Sequence, residues 1–229
     1  GLGGRVSGAR WVQGGRLNAG FEFAPTNQFV AVSNAPALNA TQLTAAIWFR
    51  TLRGGDGTPR TLVERQPSKG FALGLTGGGT NTRGRLRATL AGRSCTGDVA
   101  VTDNGWHHGA LTYDGAVLKL YVDGQLQKQT AAVARALGPL AQELTFGLNR
   151  SEPAPEEKGI SFEGVLDEAV LYGRALPAAD VQAVLAATKP KFTKDQVARR
   201  LAELKDLYDR GLLRPEFYER KVKECDVGP

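Results

Sequence analysis

The residues best equipped for chemistry here are a group of carboxylates, a row of arginines, two adjacent histidines and two cysteines. The carboxylates lie in Glu163-Gly164-Val165-Leu166-Asp167-Glu168. Glycoside hydrolysis with retention needs two carboxyl groups about 5–5.5 Å apart on one side of the sugar. On a regular strand neighbouring side chains point to opposite faces, so Asp167 and Glu168 diverge. Glu163 and Asp167 share a face but stand two pleats apart, roughly 13 Å along the strand. The spacing therefore argues against a paired-acid hydrolase, and no enzymatic activity is expected. His107 and His108 diverge by the same rule, so they cannot chelate one metal, and no Ser or Cys stands at a spacing that would make a triad with them.

Arg83, Arg85 and Arg87 alternate with Gly84, Leu86 and Ala88, which puts the three guanidinium groups on one face of a strand. They are either a solvated face whose stems cover the sheet, or a positive strip for carboxylated or sulfated glycans, which arginine reads bidentately. Tyr121 alternates with Leu120 and Val122 and shares its face with Lys119 and Asp123, which makes it a candidate for stacking on a sugar ring. Cys95 and Cys225 lie far apart in the chain, outside any C-x-x-C pattern. They either pair in an oxidising compartment, tying the tail to the main domain, or stand as unrelated thiols.

These residues need strands to hold them. Trp106–Gln125 contains two alternating apolar runs separated by Asp114-Gly115, followed by a second Asp-Gly pair at Asp123-Gly124. Asp-Gly between alternating runs signals a tight hairpin, so the stretch predicts the middle of an antiparallel meander. Further strands are expected at Trp11-Val12, 17–24, 29–32, 43–52, 61–65, 71–75, 86–90, 144–148 and 161–174. Leu43–Leu52 is apolar on both faces and is expected to be covered on both, or to line a groove on one. Asn149–Gly159, with Pro153 and Pro155, predicts a long loop. Leu176-Pro177-Ala178-Ala179-Asp180 starts a short helix with Val181, Val184 and Leu185 as its apolar stripe.

After Lys189-Pro190 glycine becomes rare and the apolar period turns helical. Thr193 and Gln196 have capping-box spacing, Val197, Leu201, Leu204, Leu207 and Tyr208 share a helical face, Gly211 stops the helix and Pro215 starts another. So short a hairpin needs something to pack on: the main domain, a copy of itself or another domain.

W-H-H-G-A-L-T-Y-D-G, L-Y-V-D-G-Q, Leu43–Phe49, Phe162–Tyr172 and Gly173–Leu185 together resemble, in order, the laminin-G-like, concanavalin A-like lectin/glucanase family. The resemblance covers about residues 5–188. It implies an all-β, antiparallel β-sandwich of jelly-roll type over 1–188, followed by a small C-terminal α-hairpin over 189–229 whose L-K-D-L-Y-D-R-G-L-L-R-P-E-F-Y-E-R-K resembles the SHOCT-type module. It buries Trp106. It also suggests Asp167 as a ligand of a structural calcium ion, the alternative being that Asp167 accepts backbone amides at the closing strand. The acid motif E-x-D-x-x-E of the glucanase branch is absent, and Phe23-Ala24-Pro25 stands where the family often has F-D-G.

The function expected is non-catalytic binding, of carbohydrate and in particular of anionic glycan, by a module of a larger secreted or cell-surface bacterial protein. The alternatives are a structural or protein-interaction module that docks through its hairpin, and a polysaccharide-acting enzyme. The formal net charge of +6 is spread along the chain with no Lys/Arg block, so no nucleic acid is expected as partner. No apolar run is long enough to span a bilayer. The chain opens Gly-Leu-Gly-Gly without Met, so the signal peptide of a protein of the cell exterior or envelope is expected to lie outside this stretch.

Overall fold

The computed structural model describes residues 3–17, 19–25, 27–51, 58–77, 84–131, 137–148, 161–188 and 194–225. Its strands are β1 (Gly4–Ser7), β2 (Arg10–Gln13), β3 (Ala19–Phe23), β4 (Phe29–Val32), β5 (Leu43–Arg50), β6 (Arg60–Arg65) and β7 (Phe71–Leu75). Then come β8 (Arg85–Leu90), β9 (Arg93–Ala100), β10 (Trp106–Tyr113), β11 (Val117–Val122), β12 (Gln125–Ala131), β13 (Leu144–Phe146) and β14 (Gly164–Tyr172). Three helices follow: α1 (Ala178–Ala187), α2 (Lys194–Asp209) and α3 (Pro215–Glu224).

The strands form two antiparallel seven-stranded sheets, ordered β1-β4-β13-β6-β7-β8-β9 and β12-β11-β10-β5-β14-β3-β2. This is the expected β-sandwich. The meander sits where its turns put it. Asp114 Oδ1 accepts the Ala116 and Val117 amides at 2.9 and 2.7 Å. Asp123 and Gly124 both have positive φ, 49° and 76°, which is the pattern of a type I′ hairpin turn.

Alternation sorts the side chains. Ala45, Ile47 and Phe49 of β5, Leu111 and Tyr113 of β10 and Leu118, Leu120 and Val122 of β11 face Leu73, Leu75, Leu86, Ala88 and Leu90 of the other sheet in one continuous core. The outer side of β5 is covered as well. Ala46, Ala110 and Tyr121 pack there against Leu176 and Val181 of the α1 region. Gln182 Nε2 holds the α1 end of that cover by donating to the Gly124 carbonyl at 2.6 Å. Trp48 Nε1 does so at the other end, donating to Thr188 Oγ1 at 2.7 Å. Helix α1 thus lies across the middle of the second sheet.

Arg65 ties loops to the first sheet from inside. It is 1% exposed, and its guanidinium donates to the carbonyls of Leu38 (2.6 Å), Leu140 (2.8 Å) and Gln142 (3.1 Å) and to Asn34 Oδ1 (2.5 Å). Burial lowers its pKa from the ordinary arginine value. Helices α2 and α3 have a small core of their own: Val197, Leu204 and Cys225, with Leu213 and Tyr218 against them. Thr193 and the 149–159 stretch lie outside the described residues.

Candidate functional site

The arginine strip falls on β8, where the register gives it a setting. Arg87 stands opposite Gly74 and Thr89 opposite Ala72 on β7. Beyond them, β6 bulges between Thr61 and Val63. At Gly74 a Cβ would come 2.5 Å from the Arg60 carbonyl oxygen, so only glycine admits this approach of the two backbones. The consequence is a floor of Gly74 and Ala72 with almost no side chain. The taller groups around it enclose a groove of about 270 Å³, walled by Thr61 on one side and Arg87 and Thr89 on the other, with Pro59 and Pro67-Ser68 among its lining.

Arg87 is exposed and steadied by one hydrogen bond, from Nη2 to Ser94 Oγ at 2.9 Å. Its remaining donors suit anionic acceptors that present two oxygens, such as carboxylate and sulfate. Arg85 lies two residues along the same strand, half-buried and outside the groove lining. Arg83 lies outside the described residues. Arg60 and Thr61 belong to the groove region but drew no notice in the sequence, because R-T-L-V-E-R shows no clean alternation. The bulge is the reason: it shifts the face each residue presents.

Two expectations are corrected. Tyr121 is 2% exposed and packs beneath α1, so it is not a sugar-stacking residue. Its parity was the one expected, outward from the sandwich, but that face is roofed. Cys95 and Cys225 are both free thiols; Cys95 belongs to the sandwich core and Cys225 to the core of the α2–α3 pair, so the tail disulfide is not formed. Burial pushes the Cys95 thiol up to about 11. Asp167 pairs with Trp48, whose indole reaches Thr188 on the outer, α1 side of the sheet. The strand bulges between Asp167 and Val170, Glu168 takes φ +47°, and Glu168 lines a cavity between the sheets.

Asp167 uses its carboxylate on the backbone. Oδ2 accepts the Leu17 amide at 3.0 Å and Oδ1 accepts the Glu168 amide at 2.8 Å. Calcium needs six to eight oxygen ligands. Among the described residues no three of His, Cys, Asp and Glu come together in a way that could hold a metal. Both Asp167 oxygens are thus occupied in holding backbone amides.

The histidines have different settings. His107 lies between two carboxylates, Asp123 Oδ2 at 2.8 Å from Nδ1 and Asp103 Oδ1 at 3.1 Å from Nε2. The hydrogen bond to Asp123 leads in raising its pKa above the usual value, against desolvation. His108 is 1% exposed, its ring 5.3 Å from that of Trp48, and its Nδ1 is buried with no partner among the described residues. Burial lowers it to about 4, against the pull of Asp123. For Asp123 itself burial acts upward, but hydrogen bonds from His107 and from the His108 amide bring the net shift below the ordinary value. The pair braces the β10–β11 hairpin and the loop before β10.

Residues 25–182 match the sequence profile of the concanavalin A-like lectin/glucanases superfamily, laminin G type. A search of curated proteins found no match. Among solved structures, the chain superposes on the binding domain of Paraclostridial Mosquitocidal Protein 1 with a TM-score of 0.63 at 16% identity, over 81% of this chain and 47% of that one. It superposes equally, at 0.63 and 14% identity, on domain 4 of AbnA, an extracellular GH43 arabinanase from Geobacillus stearothermophilus, solved with arabinotriose, over 80% of this chain and 89% of that one. The botulinum neurotoxin serotype D binding domain gives 0.59 at 15% identity, over 81% of this chain and 47% of that one. The chain therefore spans about half the length of the two toxin binding domains it matches. At these identities the likeness is one of fold.

Proposed function

Since the chain belongs to the concanavalin A-like lectin/glucanases superfamily, we propose that it is a non-catalytic carbohydrate-binding module, acting outside the cell, whose ligand is an anionic glycan laid in the groove over β6, β7 and β8. The observation that carries this reading is the groove itself: a floor of Gly74 and Ala72 with almost no side chain, hydroxyls at Thr61 and Thr89, and the exposed Arg87 at its wall. A sugar ring needs a flat surface with hydroxyl partners at the sides, and a carboxylate or sulfate on that ring meets the Arg87 fork. The long-range field of a chain with net charge +6 favours the same ligands. The arabinanase domain solved with arabinotriose lends support by fold.

The test is binding to an array that includes uronic-acid and sulfated glycans. Arg87→Ala removes an exposed side chain, so its melting temperature should match that of the parent while binding drops by roughly tenfold or more, the scale of a charge-assisted contact. Silence of the parent protein across the array, or an Arg87→Ala variant that binds as well, overturns the reading.

A second reading has its own observation. Leu201, Tyr208, Leu212 and Phe217 are exposed apolar residues on or beside α2 and α3, and a surface of this kind suits contact with another protein. It predicts self-association or partner capture that disappears when residues 190–229 are removed.

A further inference from the structure

A cavity with Glu168 in its lining lies between the two sheets, away from the groove on the outer face of β6–β8, and the glycan reading makes no use of it. Its volume is about 310 Å³, within the usual range for small-molecule sites. Val30, Ile47, Phe146 and Leu166 give it an apolar wall drawn from both sheets. Trp11 stands on β2, the margin of its sheet, 62% exposed and edge-on to Phe21 with ring centroids 4.8 Å apart; both rings line the cavity. A tryptophan this exposed forgoes most of the burial that would stabilise it, and here it does so beside an apolar space.

Glu168 supplies the polar end. It lines the same cavity, half-buried, in a left-handed backbone conformation that is unfavourable for a side chain of this kind. Asp167, next to it, has its oxygens on amides, whereas no hydrogen bond to the Glu168 carboxylate is formed among the described residues. Burial, and then the Asp167 charge, push the Glu168 carboxyl above its ordinary range. A cation placed against it would relieve both effects.

From the joint presence of an apolar intersheet cavity, an exposed indole at its mouth and, on its wall, a carboxylate without a partner among the described residues, we infer a second binding site, for a small organic amine with an aliphatic or aromatic body and a terminal ammonium group. The body occupies the space beside Ile47 and Leu166, the ammonium group meets Glu168, and Trp11 closes over the chain by apolar contact and, where the cation lies near the ring, by cation–π attraction. The site stands or falls independently of the glycan groove, because no residue is shared between them.

The experiment uses the full chain labelled with 15N, following the Trp11 indole N–H resonance identified by its loss in Trp11→Phe. The probes are hexylammonium chloride and, as its neutral counterpart, 1-hexanol. The expected result is a saturable shift of the Trp11 resonance by hexylammonium at roughly tenfold lower concentration than by hexanol, the factor one charge-assisted contact supplies. Glu168→Gln should abolish that preference by weakening the amine alone, with hexanol binding unchanged and serving as the control for folding. Trp11→Ala, at the exposed sheet margin, should weaken both probes when binding is followed by calorimetry. No saturable shift with either probe up to tens of millimolar, equal binding of the two, or a preference that survives Glu168→Gln, each overturns the inference.

Discussion

Acidification should cost this fold stability through one imidazole, and the amount follows from where that imidazole sits. His108 is buried beside Trp48 of β5, with its Nδ1 facing no acceptor among the described residues. Its pKa is brought down from 6.5 to about 4, desolvation being the first cause. The unfolded chain therefore takes up this proton before the folded one does. Stability from this group is complete above pH 6.5 and is lost as pH falls from there through about 4. At about 1.4 kcal/mol per pH unit the full loss comes to about 3.5 kcal/mol. His108→Phe keeps an aromatic ring beside Trp48 and removes the titration. Urea unfolding of both proteins from pH 7.5 to 4.5 isolates the effect, because the carboxylates common to both cancel in the difference. The variant should gain about 2.5 kcal/mol on the parent between the two ends of that range, which stops short of the folded pKa. A difference that changes by less than about 1 kcal/mol would mean that His108 is not held neutral by burial, and the reasoning would fail. The neighbouring ring supplies a check of sign. His107 has a raised pKa between Asp123 and Asp103, so its stabilisation is complete below 6.5 and is lost as pH rises through the raised value. His107→Phe should therefore cost more at pH 5.5 than at pH 8.

Arg65→Met should destabilise the protein by about 3 kcal/mol or more, since three carbonyls and Asn34 lose their buried donor, and a chemical-denaturation midpoint will read it. Tyr121→Ala should cost about 3–5 kcal/mol by leaving a cavity under α1, with the affinity for any glycan unchanged, so melting and array binding should separate. The melting temperature should be the same in EDTA and in millimolar calcium, because the Asp167 oxygens are engaged by amides; a rise of several degrees in calcium would refute that assignment.

What could be read from the amino acids was whatever depended on local chemistry. The Asp-Gly turns fixed the β10–β11–β12 meander, and the Pro177 start and the Val181 and Leu185 stripe fixed α1. The strand at Gly4–Ser7 went unpredicted because it is short and half polar, and Arg93–Ala100 because Ser94, Thr96, Gly97 and Asp98 mask any alternation. Tyr121 shows a different limit. Its direction out of the sheet follows from parity, but whether that side meets water depends on a helix more than fifty residues later. Glu168 shows a third: one extra residue in β14 interrupts the alternation, and nothing in V-L-D-E-A-V announces where the bulge falls. Arg65 could not be picked out from other arginines, because its partners are carbonyls from loops distant in the chain.

The margins of the two sheets have one more consequence. Among the described strands, the sheets end at β1 and β9 and at β12 and β2. On one flank β9 and β12 approach each other, and Gln127 Oε1 accepts the Asp98 amide at 3.2 Å, so the long terminal strands are laced together by a side chain. On the other flank the terminal strands β1 and β2 are only four residues each. Strands so brief offer little ladder for a foreign chain to extend, which discourages end-to-end fibre growth even with an indole standing in the open beside them.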